Sequence, residues 1–159
     1  MNMNTNIKEL TVKLEKVVLE KTGYDISNVP VFYGSRNLCY VISNSIKPVA
    51  IRISKSDNGS REAIASELLF IDYLKQFIHT ICQAIPFCGS LVNTVIVDNE
   101  SFDIVVFKKG NGYPCLNCTT PGFLKASGSL LGKIHSASIQ AGKERFHFKR
   151  KKLVWDGFL

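Results

Sequence analysis

The sequence predicts an α+β fold, in which a five-stranded antiparallel sheet has a helix between its third and fourth strands. Short segments rich in β-branched and aromatic residues alternate with turn residues, which is the pattern of strands. The gaps between neighbouring segments are too short for the crossover that a parallel pair requires, which indicates hairpins. Neither G-x-G-x-x-G nor G-x-x-x-x-G-K-[ST] occurs in the chain, so a Rossmann or P-loop domain is not expected.

The bulk composition indicates a folded protein with a basic balance. The 159 residues are 45% hydrophobic and carry a net charge of +7, which is enough apolar material for one sizeable core. No apolar run approaches the roughly 20 residues of a membrane span, and the residues before Thr11 do not have the pattern of a signal peptide. We therefore expect a cytoplasmic protein that does not bind membranes.

The first half of the sheet follows an N-terminal helix. Apolar residues repeat at helical spacing over about residues 5–22, and Gly23 ends the pattern. Three segments of strand composition come next, at residues 29–33, 38–43 and 49–54.

The second half begins with another amphipathic helix, which is predicted over about residues 60–78. Two strands follow near residues 91–97 and 102–107, separated by turn residues. A glycine-containing linker then spans residues 109–114. The last predicted helix has Thr120 as its cap, begins at Pro121 and runs to about Ser138.

Arg52 is the most informative single residue, because it interrupts an otherwise apolar strand. Strand alternation places it on the same face as Ala50, and a cation there is costly to bury unless it is paired or binds an anion. On the following helix Glu67 lies about 40° from Ile71 and borders the apolar stripe, whereas Glu62 faces solvent. We therefore predict an Arg52–Glu67 pair. An edge-strand arginine with a solvated glutamate is the alternative.

The loop between the first two strands could approach a phosphate group. Nucleotide phosphates need closely approaching backbone donors and at least one fixed cation. Gly34 permits a tight turn, while Ser35, Arg36 and Asn37 could face the phosphates. A plain turn with no ligand is the alternative interpretation.

A nucleotide base would then lie against the end of the fifth predicted strand. Backbone groups from Val106 to Lys109, including Phe107 and Lys108, could recognise adenine, and the side chain of Ile51 would lie above the ring. A strand that simply continues into a loop is the alternative here.

Two local patterns are weak signals for other functions. Cys115 and Cys118 have zinc-knuckle spacing, but no second clustered pair completes a site, so we predict reduced thiols and no metal centre. The basic run at residues 149–152 could contact nucleic acid or anionic lipid, but no nucleic-acid-binding signature accompanies it. We expect a solvated basic surface there.

Five segments carry a resemblance to a known family: the hairpin at Gly34–Tyr40, the strand Val49–Ile53, the helix block Glu67–Leu74, the strand Ile104–Phe107 and the stretch Leu130–His135. Together they resemble the small lobe of the aminoglycoside phosphotransferase and choline kinase-like family. The stretch Leu130–His135 is the most distinctive of them, because it resembles the Leu-Gly-x-hydrophobic-His helix that opens the family's large lobe.

The resemblance implies a kinase-like nucleotide-binding lobe over residues 1–108 and the hinge and start of a large lobe over residues 109–159. Arg52 would hold the phosphates of ATP or GTP with magnesium, and Glu67 would be its helix partner. The family transfers the γ-phosphoryl group to a hydroxyl of an aminoglycoside, choline or sugar-like acceptor.

The family's catalytic and metal-binding residues do not occur in this sequence. There is no His-Gly-Asp followed by Asn and no later acidic motif for magnesium. We therefore assign no catalytic residue and no metal ligand, and expect this chain to be inactive alone. It is either part of a longer kinase or a naturally short protein.

A non-catalytic interaction module is the alternative function. The helix near residues 120–138 would pack either on a large lobe or on a second copy of the chain. The basic C-terminal tail could bind an acidic partner, although we do not expect nucleic acid to be that partner.

Overall fold

The computed structural model describes residues 3–33, 37–43, 45–57, 60–111 and 119–145. These residues form three helices and a six-stranded sheet. The helices are α1 (Met3–Thr22), α2 (Ser60–Leu74) and α3 (Pro121–Arg145). The strands are β1 (Val31–Tyr33), β2 (Asn37–Ile42), β3 (Val49–Lys55), β4 (Ala84–Ile85), β5 (Asn93–Val97) and β6 (Glu100–Lys108).

The sheet is antiparallel throughout, with the strand order β1-β2-β3-β6-β4 and with β5 also paired to β6. This arrangement confirms the α+β fold class and the position of α2 between the third and fourth strands. The two-residue strand β4 is a sixth strand that the sequence analysis did not predict. It is too short to show alternation, and its pairing with the end of β6 is a tertiary contact.

The turn of the β5–β6 hairpin forms where the sequence predicts it. Asp98 and Asn99 have φ angles of 51° and 64°, and they connect the paired residues Val97 and Glu100. Two central residues with positive φ match the type I′ turn, which suits the twist of a hairpin and favours Asn and Asp.

The α1 face of the sheet is a continuous apolar core. Leu14 and Val18 of α1 are at most 1% exposed and pack against side chains from the central strands. The buried strand residues in this cluster are Tyr40, Val49, Ile51, Ile53, Val95, Val97, Phe102, Ile104 and Val106. At about 25 cal/mol per Å² of buried apolar surface, this layer is a major source of stability.

The opposite face of the sheet is covered by α2, which in turn packs against α3. Ile64 and Leu68 contact Val105 of β6, while Leu74 and Ile78 belong to a second cluster that includes Ala137 of α3. The apolar stripe that begins in α2 and continues into the residues after Leu74 therefore contacts the sheet with its first half and α3 with its second.

Helix α3 begins as the sequence predicts and extends further than predicted. The Thr120 hydroxyl accepts a hydrogen bond from the Phe123 amide at 3.3 Å, as an N-cap does. The helix continues to Arg145, beyond the expected end near residue 138, and the Tyr73 hydroxyl donates to the Ala137 carbonyl at 3.2 Å. In the part of the chain that the structure describes, no helix is long and apolar enough to cross a membrane.

Candidate functional site

Arg52 lies on the α2 face of the sheet, in a strand with a neighbour on each side. The register of β3 places Arg52 beside Cys39 of β2 and Val105 of β6. Because side chains alternate between the two faces of a strand, Ala50 and Ser54 share the face of Arg52. The alternative of an edge-strand arginine is therefore wrong.

The predicted partner of Arg52 is in contact with it. Arg52 Nη1 donates to Glu67 Oε1 at 2.8 Å, and the two side chains are 17% and 25% exposed. Glu62, on the same helix, is exposed, as the helical periodicity indicates. The guanidinium carbon also lies 5.4 Å from the centre of the Phe107 ring, a cation–π contact that contributes about 0.5–2 kcal/mol.

The ion pair leaves part of the guanidinium without a partner. Arg52 Nε and Nη2 are buried and have no hydrogen-bond partner among the described residues. Buried polar groups are nearly always hydrogen-bonded in folded proteins, and an unpaired one costs about 1–3 kcal/mol. A guanidinium edge with unused donors matches the oxygen atoms of a phosphate group, which it can bind through paired hydrogen bonds.

Polar residues continue along the same face beyond Arg52. Ser54 Oγ donates to Asn37 Oδ1 at 2.7 Å. This hydrogen bond holds the Asn37 side chain on the same face of the sheet as Arg52. Thr94 Oγ1 donates to the carboxylate of Asp103 at 2.7 Å, and Asp103 is 1% exposed. The sequence analysis did not single out Ser54 or Asp103, although alternation from Arg52 identifies Ser54.

Cys39 lies directly opposite Arg52 in the β2–β3 register. Burial raises the pKa of the Cys39 thiol, and the positive charge of Arg52 lowers it in part. Because burial dominates, the neutral thiol is favoured beside the guanidinium. Cys39 therefore reports on the local charge of the site without forming an ion pair with Arg52.

Ile51 does not share this site. Its side chain is 0% exposed and lies in the core beneath α1, on the face opposite Arg52. The expectation that Ile51 lies above a nucleotide base is therefore corrected, because consecutive strand residues point to opposite faces. Ala50 is the residue on the correct face. It is half-buried and pairs with Val41 and Phe107.

The end of β6 is held by hydrogen bonds within the protein. The Lys108 amide donates to the Gln83 carbonyl at 2.8 Å, and the Lys109 amide donates to the Pro48 carbonyl at 3.0 Å. These donors are therefore occupied, and base recognition here would use carbonyl groups or residues after Lys109. Lys108 lines a cavity to which neither Arg52 nor Glu67 contributes.

Some predicted site residues lie outside the described part of the chain. Gly34, Ser35 and Arg36 are among them, as are Cys115 and Cys118, so their roles stay predictions. Among the residues that the structure describes, no three His, Cys, Asp or Glu side chains form a group that could hold a metal ion. No magnesium ligand is assigned to the described residues.

No protein-family model matches the sequence, and no match is found among curated proteins. Solved structures do match. The amicoumacin kinase hAmiN, solved with AMP-PNP, Ca2+ and Ami, has a TM-score of 0.71 at 20% identity, over 97% of this chain and 48% of that protein. The chain has the fold of a kinase-like small lobe.

Two further kinases are similar to the lobe. A microcompartment-associated aminopropanol kinase has a TM-score of 0.63 at 22% identity, over 93% of this chain and 46% of the aminopropanol kinase. The spectinomycin phosphotransferase APH(9)-Ia, solved with ADP and spectinomycin, has a TM-score of 0.55 at 17% identity. The match covers 79% of this chain and 37% of that protein. The lobe thus spans about half the length or less of these kinases, and identities this low show the shared fold alone.

Proposed function

We propose that the lobe binds the phosphates of ATP or GTP on the α2 face of its sheet, as the nucleotide-binding part of a small-molecule phosphotransferase. The observation that carries the proposal is Arg52, a cation in an inner strand with two buried nitrogen atoms that have no partner among the described residues. Two of the similar kinases were solved with AMP-PNP and with ADP, which supports a nucleotide as the ligand.

Each described residue of the site has a distinct role in this proposal. In this proposal, Arg52 donates to phosphate oxygens through Nε and Nη2 once the nucleotide displaces the side chains that bury these atoms, while Glu67 orients the guanidinium through Nη1. The small side chain of Ala50 leaves space for the base. Phe107 packs against the guanidinium and restricts its movement. Asn37 lies on the same face of the sheet.

The bound nucleotide would supply the γ-phosphoryl group, with magnesium neutralising its charge. The sequence has no His-Gly-Asp followed by Asn to position an acceptor hydroxyl. We propose that the lobe alone holds the nucleotide without transferring phosphate. Transfer to an aminoglycoside, choline or sugar-like acceptor would require catalytic residues from further polypeptide.

Titration calorimetry with magnesium and AMP-PNP tests the proposal. Replacing Arg52→Gln removes the charge and should weaken binding by about tenfold to a hundredfold, the range expected for charge-assisted hydrogen bonds. The matched control is Arg61→Gln. Arg61 is an exposed arginine of α2 whose Nη1 lies 3.3 Å from Thr94 Oγ1. Equal affinity in wild type and Arg52→Gln would reject the site.

The first half of α3 supports a larger assembly. Its residues up to Lys133 are exposed, and the large apolar side chains among them are Phe123, Leu124, Leu130 and Leu131. Because the lobe spans about half the length or less of the kinases it matches, we propose that a second lobe covers this surface. Exposed apolar surface of this kind marks an interaction site.

Sedimentation over a range of concentrations tests which partner covers α3. A second lobe as the partner predicts that the chain stays monomeric, or associates weakly and non-specifically. A stable dimer that Leu131→Glu dissociates, while the control Leu19→Glu on the exposed side of α1 does not, would assign the surface to a second copy of the chain.

A further inference from the structure

A cavity lies between the segment after α2 and the last residues of β6 with those that follow it. Its volume is about 540 Å³, within the range of small-molecule sites. None of Arg52, Glu67 and Phe107 lines it, so it is separate from the proposed phosphate site, although it includes Lys108 and Lys109 from the segment predicted to lie beside the base. The described lining residues are Lys75, His79, Thr80, Ile81, Cys82, Gln83, Lys108, Lys109, Gly110 and Asn111.

The charges around this cavity are of one sign. Lys75, Lys108 and Lys109 line it, and none of its described lining residues is Asp or Glu. The three lysines form no salt bridge with any described carboxylate. Several cations around one concave surface raise the local potential and attract anions, because the low-dielectric walls concentrate the field.

Neutral hydrogen-bonding groups accompany the cations. Thr80, Gln83 and Asn111 also line the cavity, and their side chains carry a hydroxyl and two amide groups. Lysine ammonium groups bind phosphate as point charges, and amide and hydroxyl groups can donate to the remaining oxygens. A multiply charged anion uses such a set more fully than a single carboxylate does.

We propose that this cavity binds a small phosphate-bearing anion, with Lys75 and His79 contributed by the segment that follows α2 and Lys108 and Lys109 by the end of β6. The concave shape fits a compact ligand better than a nucleic-acid strand, which follows an extended basic groove. The proposal does not depend on nucleotide binding at Arg52, and each site can fail while the other holds.

Titration calorimetry with pyrophosphate, at a constant ionic strength of about 0.15 M, tests the site. The double variant Lys75→Gln/Lys109→Gln should bind pyrophosphate at least about tenfold more weakly than wild type. The control Lys125→Gln/Lys133→Gln removes the same charge from exposed positions of α3 and should change the affinity less than about twofold. Lys75, Lys125 and Lys133 are exposed and Lys109 is half-buried, so we expect all variants to fold. Thermal melting checks that they do.

Four results would overturn the proposal. The first is unchanged binding in Lys75→Gln/Lys109→Gln. The second is an equal loss in the α3 control, which would indicate an effect of net charge alone. The third is loss of pyrophosphate binding in Arg52→Gln while Lys75→Gln/Lys109→Gln keeps it, which would place the anion at the nucleotide site. A labelled oligonucleotide that binds this surface when pyrophosphate does not would reassign it to nucleic acid.

Discussion

The two faces of β3 show how one short strand serves two different purposes. On the α1 face Val49, Ile51 and Ile53 are at most 1% exposed and belong to one apolar cluster. On the α2 face Arg52 is half-buried among Glu67, Phe107 and Cys39. Because strand residues alternate, a single step along the chain separates a residue that holds the sheet together from one with unused hydrogen-bond donors.

The comparison shows which face is optimised for stability. A buried ion pair is often no more stabilising than apolar side chains of similar volume, because both charges lose hydration. The α1 face avoids this cost entirely. The α2 face retains it at Arg52, which is expected when the charge has another role, and we attribute that role to phosphate binding.

The largest expected effect is on the α1 face. Ile51→Ala should lower the free energy of unfolding by about 2–5 kcal/mol, because it leaves a cavity in a fully buried site. Urea denaturation measures the loss. The control Ile96→Ala changes the same residue type on β5, where the side chain is 72% exposed, and should have little effect. A loss at Ile51 no larger than at Ile96 would contradict the packing of this face.

The ion pair on the α2 face should respond differently. Glu67→Met leaves the Arg52 charge uncompensated and should cost about 1–3 kcal/mol, less than a fully buried pair because both side chains are partly exposed. The double variant Arg52→Met/Glu67→Met should recover much of that stability, since neither charge of the pair remains, but should not bind nucleotide. Equal stability of the single and double variants in urea would show that the pairing is unimportant.

Variants of Ala50 test whether the base needs space on this face, without changing the charges of Arg52 and Glu67. Ala50→Leu keeps the Arg52–Glu67 pair but fills the position beside Phe107, and should weaken AMP-PNP binding by about tenfold, or about 1.4 kcal/mol. Ala50→Gly is the control that adds no bulk. Calorimetry that finds equal affinities for both variants would place the base elsewhere.

The smallest expected effect concerns the Cys39 thiol. Since burial raises its pKa, less thiolate is present near neutral pH, and alkylation by iodoacetamide should be slower than at the exposed Cys82 and Cys88. The rate should increase as the pH rises towards the raised pKa. Arg52→Gln removes a charge that lowers this pKa and should slow Cys39 further.

Peptide mass spectrometry after timed alkylation gives the rate for each cysteine. Cys82 is the internal control, because it is exposed and lies away from β2 and β3 in the sequence. If Cys39 reacts as fast as Cys82 in wild type, or faster in Arg52→Gln, then the surroundings of Cys39 described above are wrong.

Periodicity explains why so much of the fold was predictable. The stripe of α2, the strand β3 and the turn at Asp98–Asn99 have local signals, and the structure shows all three, although α2 ends at Leu74 and not near residue 78 as predicted. Strand β4 has no such signal, because it is defined only by its pairing with Val106 and Phe107 of β6.

The candidate site was predictable only where its residues lie on elements with a periodic sequence pattern. Periodicity on β3 and α2 identified Arg52 and Glu67, because both signals belong to the elements that carry them. The same alternation places Ala50, two residues before Arg52, on the face of Arg52, and so predicts Ala50 and not Ile51 as the residue beside the base. The basic cavity could not be found this way, since its lysines come from segments about 30 residues apart that only the folded chain brings together.

Methyl NMR of the labelled lobe, titrated with AMP-PNP and magnesium, tests the central claim most directly, because Ala50 and Ile51 are neighbours on opposite faces of β3. The proposed site predicts a large shift of the Ala50 methyl signal and little change in the Ile51 δ1 methyl signal. A shift at Ile51 with none at Ala50, or no shift at either residue, would contradict nucleotide binding on the face of Arg52.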